Sequence, residues 1–206
     1  RLREFLIAAS RQSRSEMRSS MKIGILAVQG AFAEHEQMLE QLGAEYIELR
    51  KGEDVRQSYD GLILPGGEST VQGKLMRELD MFDTIQSQIK NGMPVLATCA
   101  GTILLAQQLS NDAATHFATL PAVVRRNAYG RQLGSFSVDE QIEGIGTFPM
   151  RFIRAPYIEK VLDDTKVLAK VDGNIVMVEN KNQLAMSFHP ELTSDTRIHE
   201  MFLKKI

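Results

Sequence analysis

The stretch PVLATCAG, residues 94–101, is an apolar run that ends at Cys99, the only cysteine of the 206-residue sequence. Its small and β-branched residues predict a buried strand, and residues 102–109 after it predict a helix. A side chain at such a strand-to-helix turn stands clear of the sheet edge, and unpaired N–H groups at the helix N-terminus favour a thiolate there. Cys99 is therefore a candidate nucleophile, and the alternative is a buried, inert cysteine that packs as a small hydrophobe.

The segments on both sides of this stretch alternate between strand and helix patterns. The predicted strands of the N-terminal half are residues 22–28, 46–49, 62–64 and 94–97, and the predicted helices are residues 32–42 and 71–90 with a break near Asp80. This order predicts a three-layer α/β domain with a mostly parallel central sheet and right-handed crossovers. From Pro121 onward, short alternating segments predict a more antiparallel C-terminal half, which ends in a helix from about Asp195.

The tripeptide His189-Pro190-Glu191 follows a strand-like apolar run at residues 183–188. Proline restricts the residue before it to extended backbone, in which positions i and i+2 project to the same side. A carboxylate of Glu191 that holds one ring nitrogen of His189 leaves the other nitrogen free to take a proton from a thiol. The alternatives are an ordinary loop histidine and a solvated glutamate.

The segment LILPGGEST, residues 62–70, places two adjacent glycines after a predicted strand. Main-chain N–H groups of such a loop can approach a ligand without hindrance from a Cβ atom, at the edge of the sheet where ligands bind. We therefore predict an oxyanion hole here, and the alternative is an ordinary strand-to-helix turn. The spacing of a phosphate-binding loop is absent.

Composition restricts the class of protein further. The chain is 43% hydrophobic and 24% charged with a formal net charge of −2, and it has no tryptophan and no basic stripe, so we expect no nucleic-acid partner. A lone cysteine leaves no internal disulfide and fits a cytoplasmic location. The four histidines lack helical ligand spacing, so no metal is expected, and His35 and His199 are predicted to be surface or partly packed residues. No apolar run approaches the roughly 18 residues of a membrane span, so no membrane partner is expected.

Residues 1–20 are rich in arginine and serine and precede Met21, after which the first strand pattern begins. Three interpretations stay open: an appended or translated upstream stretch, a disordered tail, and part of an Arg/Ser-rich organelle-directing presequence. We expect a disordered or appended extension at residues 1–20 and a single domain at residues 21–206.

Three motifs, in chain order, resemble those of the triad-type (class I) glutamine amidotransferases: PGGEST at residues 65–70, TCAG at 98–101 and FHPE at 188–191. More narrowly, the chain resembles the glutaminase subunits of pyridoxal 5′-phosphate synthase. The segments that carry this closer resemblance are AVQGAFAEH (27–35), GLILPGGEST (61–70), RRNAYGRQ (125–132), FIRAP (152–156) and SFHPELT (187–193). The resemblance implies the three-layer, flavodoxin-like fold of class I glutamine amidotransferases, and it extends from Met21 to the last residue.

The resemblance also implies a role for each matching residue. The implied catalytic residues are Cys99 as nucleophile, His189 as general base and acid, and Glu191 as the carboxylate that orients it. The implied glutamine-binding residues are Gly67, Glu68, Ser69, Arg126, Ile153 and Arg154. The implied oxyanion donors are the amides of Gly67 and Ala100, and the implied partner contact is Gln29 with Gly30. No cofactor or metal is implied.

The activity implied by the family is hydrolysis of L-glutamine to L-glutamate through a cysteine thioester. The ammonia then passes to a separate synthase subunit that makes pyridoxal 5′-phosphate. Two alternatives stay open: a glutaminase subunit that serves another acceptor pathway, and a cysteine enzyme of the peptidase-like and deglycase-like α/β class. In that class a histidine usually follows the cysteine closely, whereas Ala100 follows it here.

Overall fold

The computed structural model describes residues 2–126 and 134–206. Its helices are α1 (Leu2–Ser20), α2 (Phe32–Gln41), α3 (Gly52–Val55), α4 (Ser69–Glu78), α5 (Phe82–Lys90), α6 (Ala100–Leu105) and α7 (Arg197–Leu203). Its strands are β1 (Lys22–Leu26), β2 (Glu45–Leu49), β3 (Gly61–Leu64), β4 (Val95–Thr98), β5 (Ala106–Leu109), β6 (Leu120–Arg125), β7 (Ser135–Ile142), β8 (Gly146–Ile153), β9 (Tyr157–Val161), β10 (Lys166–Val171), β11 (Asn174–Asn180) and β12 (Gln183–Met186). A short 3-10 turn spans Pro190–Leu192.

The main sheet has the strand order β2-β1-β3-β4-β12-β11-β9-β6-β5, and β10 pairs with β11 beside this path. The neighbouring pairs β2–β1, β1–β3, β3–β4 and β4–β12 are parallel. Strand β11 pairs antiparallel with β12, β9 and β10. Strands β7 and β8 form a separate antiparallel hairpin. The predicted fold class is confirmed, with the antiparallel part in the C-terminal half.

The sheet has a hydrophobic core on each face, because successive side chains of a strand point to opposite sides. In β3, for example, Leu62 and Leu64 pack in one core while Ile63 packs in the other. Helices α3, α4, α5 and α6 contribute to the first core, and helices α2 and α7 with the β7–β8 hairpin contribute to the second. These are the three layers that the sequence predicts.

The pairing of β12 with β4 joins the two halves of the chain. The strands run parallel with Met186 opposite Thr98, so each continues past the same edge of the sheet. Cys99 follows β4 by one residue, and His189 follows β12 by three. The register therefore places both residues at the carboxyl ends of neighbouring strands, where ligands bind in parallel sheets.

Two secondary-structure predictions differ from the structure. The helix expected at residues 102–109 ends at Leu105, and Ala106–Leu109 is strand β5, which pairs parallel with β6. The residues of this segment favour helices locally, but pairing with a neighbouring strand outweighs that preference. Strand β9 was not predicted, although it lies between β11 and β6 in the sheet.

Of the interpretations of residues 1–20, the disordered tail differs from the structure, in which Leu2–Ser20 forms helix α1. The helix buries none of its residues, and several large apolar side chains, among them Leu2, Phe5 and Leu6, are exposed. An ion pair of 3.2 Å between Arg18 and Glu200 connects its end to α7. Among the helices of the described residues, none combines the length and the hydrophobicity that crossing a membrane requires.

Candidate active site

Cys99 lies at a sharp turn between β4 and α6. Its φ of 49° and ψ of −107° are unusual for a residue with a side chain, and such backbone strain persists only where surrounding contacts impose it. The Cys99 N–H donates to Met186 O at 2.9 Å, and the Cys99 carbonyl accepts from the N–H of Thr102 at 3.0 Å. The turn therefore holds the side chain at the start of α6, as the strand-to-helix pattern predicts.

The imidazole of His189 lies between Cys99 and Glu191. Its Nδ1 is 2.5 Å from Glu191 Oε1, which leaves Nε2 for the sulfur. Burial disfavours the imidazolium, but hydrogen bonds to Cys99 and Glu191, together with their charges, raise the pKa of His189 to about 10. A cation beside the sulfur favours the thiolate, so the arrangement suits nucleophilic attack by Cys99.

Gly66 supplies the space that the ring of His189 occupies. A Cβ atom at this position would collide with His189 Cε1 and lie 3.0 Å from Nδ1. We predict that Gly66→Ala lowers kcat by about 100-fold, because a displaced base loses its alignment with the sulfur. Steady-state measurement of glutamate formation checks this prediction.

Gly43→Ala is the matched control for Gly66→Ala. Gly43 has φ of 72° and open space around its Cα, so the substitution strains the backbone without touching the site. We expect Gly43→Ala to lower thermal stability and to keep kcat. Equal kcat values for Gly66→Ala and the wild type would contradict the packing argument.

The loop after β3 is connected to the turn after β1. The Glu68 N–H donates to Gln29 Oε1 at 2.8 Å, and the Ala31 N–H donates to Gly66 O at 3.0 Å. Because the Gly66–Gly67 peptide is trans, the N–H of Gly67 points away from that carbonyl and from the Gln29 turn. The amide of Gly67 is thus available as a donor, and the second predicted donor, the amide of Ala100, begins α6 beside the sulfur.

A cavity of about 1110 Å³ opens in front of Cys99 and His189. The six residues predicted to bind substrate all line it: Gly67, Glu68, Ser69, Arg126, Ile153 and Arg154. Gln29 also lines the cavity, whereas Gly30 lies behind it against Gly66. Most of the segment at residues 125–132, which supports the closer resemblance, lies outside the described residues, because the structure does not describe residues 127–133.

Charged groups of both signs face this cavity. Arg126 forms an ion pair with Asp112 at 2.9 Å. By contrast, the guanidinium of Arg154 and the carboxylate of Glu68 form no ion pair with any side chain in residues 2–126 or 134–206. An unpaired cation and an unpaired anion in one cavity suit a zwitterionic ligand. Across the same two ranges, no cluster of three or more His, Cys, Asp or Glu side chains could hold a metal ion.

Two residues that support the site were not predicted from the sequence. Gly66 contacts His189, and Gln72 Nε2 donates to Gln29 O and Pro65 O at 3.1 and 3.2 Å. Gly66 belongs to the PGGEST motif, whereas nothing in the sequence distinguishes Gln72 from other helix residues. His35 and His199, predicted to be surface or partly packed residues, are both fully buried.

The fold and the site together define a class of protein: three-layer α/β proteins with a cysteine, histidine and glutamate at the carboxyl edge of a parallel sheet. A solved structure described as "Crystal structure of glutamine amidotransferase" has a TM-score of 0.84 and 42% identity, covering 89% of this chain and 97% of that one. The structure of PurLQS from Thermotoga maritima, at 18% identity and a TM-score of 0.61, shares the fold over 89% of this chain and 98% of that one.

The sequence comparisons identify the family within this class. The model of the SNO glutamine amidotransferase family matches residues 25–206, and the chain belongs to that family. The pyridoxal 5′-phosphate synthase subunit PdxT of Desulfitobacterium hafniense (strain DSM 10664 / DCB-2) is 63% identical over 186 residues, which are 90% of this chain and 94% of the relative. The subunit of the same name from Haemophilus influenzae (strain PittGG) is 53% identical over 89% of this chain and 97% of its own.

Proposed function

We propose that this chain is the glutaminase subunit of a pyridoxal 5′-phosphate synthase. The sulfur of Cys99 attacks the side-chain amide carbon of glutamine, and the C–N bond of the tetrahedral intermediate breaks as His189 donates a proton to the departing ammonia. Water, deprotonated by His189, then cleaves the glutamyl thioester and releases glutamate. The observation that supports this most directly is the chain of contacts from Cys99 through His189 to Glu191.

The oxyanion of each tetrahedral intermediate needs donors that are already in place. The amides of Gly67 and Ala100 are the proposed donors, because Gly67 lines the same cavity as Cys99, Ala100 directly follows Cys99 at the start of α6, and neither donor belongs to a side chain that must reorder. Preorganised donors of this kind commonly stabilise the transition state by about 3 to 4 kcal/mol.

Glutamine is the proposed substrate because its head group carries one positive and one negative charge. Arg154 is placed to bind the α-carboxylate, and Glu68 is placed to bind the α-ammonium, since both line the cavity and neither forms an ion pair within residues 2–126 and 134–206. Ser69, Arg126 and the Ile153 main chain are proposed to complete the pocket. The Ile153 carbonyl lies 3.9 Å from Cys99 Sγ, so this segment adjoins the reacting atoms.

We predict that Arg154→Met raises the KM for glutamine by about 10- to 100-fold and changes kcat little, because a charge-assisted hydrogen bond contributes about 1.5 to 3 kcal/mol. Initial rates across a range of glutamine concentrations check this. The control is Arg125→Met on strand β6, which removes an ion pair with Glu159 of β9 and leaves the cavity lining intact. An unchanged KM for Arg154→Met would contradict the assignment.

The proposed partner is a synthase subunit that consumes the ammonia, a proposal supported by the relatives, each of which is named as a subunit of pyridoxal 5′-phosphate synthase. Gln29 is proposed to lie at this interface, because its side chain holds the Glu68 amide and a partner that touches it can align the oxyanion loop. The proposed location is the cytoplasm, where a free thiol stays reduced.

The experiment that tests this function measures glutamate formation from glutamine with and without the synthase subunit. We expect glutamate in both reactions and a faster rate in the complex. Equal rates would contradict activation by the partner, and the absence of glutamate from the complex would contradict the glutaminase function itself.

A further inference from the structure

Two buried histidines lie directly behind the catalytic carboxylate. His35 on α2 and His199 on α7 are both 0% exposed, and His35 Nδ1 is 2.9 Å from His199 Nε2. On its other side, His35 Nε2 is 3.4 Å from Thr98 Oγ1 and 3.6 Å from Glu191 Oε2. Neither histidine lines the substrate cavity.

Glu191 needs a second donor that its immediate neighbours do not supply. Its Oε1 accepts from His189, but Oε2 is buried and has no hydrogen-bond partner within the described ranges. Leaving one oxygen of a buried carboxylate without a donor is unfavourable. His35 Nε2, which lies 3.6 Å from Oε2, can carry a proton toward it.

The arrangement of the pair favours one tautomer. If His35 carries its proton on Nε2, its Nδ1 accepts from His199 Nε2–H, and the unpartnered His199 Nδ1 is a bare lone pair. The opposite tautomer leaves His199 Nδ1–H buried without an acceptor and turns the lone pair of His35 Nε2 toward a carboxylate. Both consequences are unfavourable, so the proton lies on His35 Nε2.

Both rings are neutral in this arrangement. Burial, together with the charges of His199 and His189, lowers the pKa of His35 well below its usual value. Burial also lowers the pKa of His199 to about 4. A neutral donor therefore faces Glu191, and the charge of the carboxylate stays available to His189.

We propose that His35 is a positioning residue for the glutaminase reaction: its Nε2–H, oriented by His199, stabilises the Glu191 carboxylate in the orientation that holds His189 against Cys99. The separation of 3.6 Å is longer than a hydrogen bond, and contacts of this kind often shorten in the reactive complex. This inference rests on the proposed glutaminase function, and it assigns His35 no contact with substrate.

The test compares His35→Leu with His35→Gln in the complex with the synthase subunit. Leucine removes the donor, so we expect kcat to fall by about 10- to 100-fold with the KM for glutamine within about twofold, as is typical when a supporting contact of a reactive group is lost. Glutamine retains an N–H donor at the position of Nε2, so we expect it to restore most of the lost kcat. The control is Leu39→Ala, a buried substitution on the same helix, which we expect to lower thermal stability and to keep kcat.

A double-mutant cycle separates positioning from general structural damage. If His35 acts through Glu191, His35→Leu has little further effect on kcat in a Glu191→Gln background. A full additional loss in that background, or a kcat for His35→Gln as low as that of His35→Leu, would overturn the inference. Wild-type protein that forms no glutamate would instead refute the proposed function, so the two failures are distinguishable.

Discussion

Cys99→Ala abolishes glutamate formation, with a loss of at least about 10⁴-fold in kcat, because the substitution removes the nucleophile that is paired with His189. The sulfur lies at the start of α6 beside His189, and its removal takes away the atom that attacks the amide. The measurement is glutamate release from glutamine in the complex with the synthase subunit, read over long incubations.

Two observations separate a lost nucleophile from a lost fold in the Cys99→Ala protein. The variant keeps a Cβ atom at φ of 49°, so its turn bears the same backbone strain, and we expect a thermal transition close to that of the wild type. We also expect it to bind glutamine, since Arg154 and Glu68 remain. Glutamate formed by a folded Cys99→Ala protein at more than background rate would reject Cys99 as the nucleophile.

Glu191→Gln lowers kcat by about 10³-fold, the second largest effect we expect. The amide has nearly the shape of the carboxylate, but it cannot stabilise an imidazolium or hold the same tautomer of His189. The substitution removes the negative charge from the 2.5 Å contact between His189 Nδ1 and Glu191 Oε1. Steady-state rates for this variant and for Glu159→Gln, an amide control on the distant strand β9, measure the difference.

The same substitution changes the titration of His189. Burial acts against the imidazolium, so removing the charge of Glu191 lowers the pKa of His189 from about 10. In the wild type this pKa exceeds the ordinary value of 6.5, so the contribution of His189 to the free energy of unfolding is full below about pH 6.5 and is lost as the pH rises toward 10. In Glu191→Gln, the free energy of unfolding therefore falls less between about pH 6.5 and 10 than it does in the wild type.

NMR of the histidine ring protons follows that titration directly. A His189 signal that titrates at the same pH in the wild type and in Glu191→Gln would contradict the electrostatic coupling. A kcat for Glu191→Gln within a few-fold of the wild type would contradict the orienting role.

The two halves of the chain contribute different parts of the site. The parallel half provides the strained cysteine turn and the glycine loop, and the C-terminal half provides the base, its carboxylate and the Ile153–Arg154 segment. Insertion of β12 beside β4 brings the parts together, because Met186 lies opposite Thr98. The site therefore depends on one strand pairing between residues far apart in sequence.

The sequence predicted the parts of the site that depend on local pattern. The apolar run before Cys99 predicted β4 and the turn, and the proline after His189 predicted that His189 and Glu191 point together. The turn and the contact of His189 with Glu191 are both present, but Pro190–Leu192 forms a 3-10 turn and not the extended backbone on which the second prediction rested. These features follow from backbone geometry over a few residues, which a sequence displays directly.

Other features depend on contacts between distant segments, and the sequence did not predict them. The local pattern of residues 106–109 predicts a continued helix, but these residues form strand β5 because they pair with β6. The helical pattern around His35 predicts a surface or partly packed residue, but His35 is buried because His199 of α7 and Glu191 pack against it. In both cases tertiary packing decides an outcome that local propensity leaves open.

The most direct test of the central claim, that Cys99 and His189 act together in one cleft, is alkylation by a chloroketone analogue of glutamine followed by mass spectrometric mapping. We expect stoichiometric labelling of Cys99, protection by glutamine, and much slower labelling in His189→Ala. A labelled Cys99 in an enzyme that keeps full glutaminase activity would contradict it.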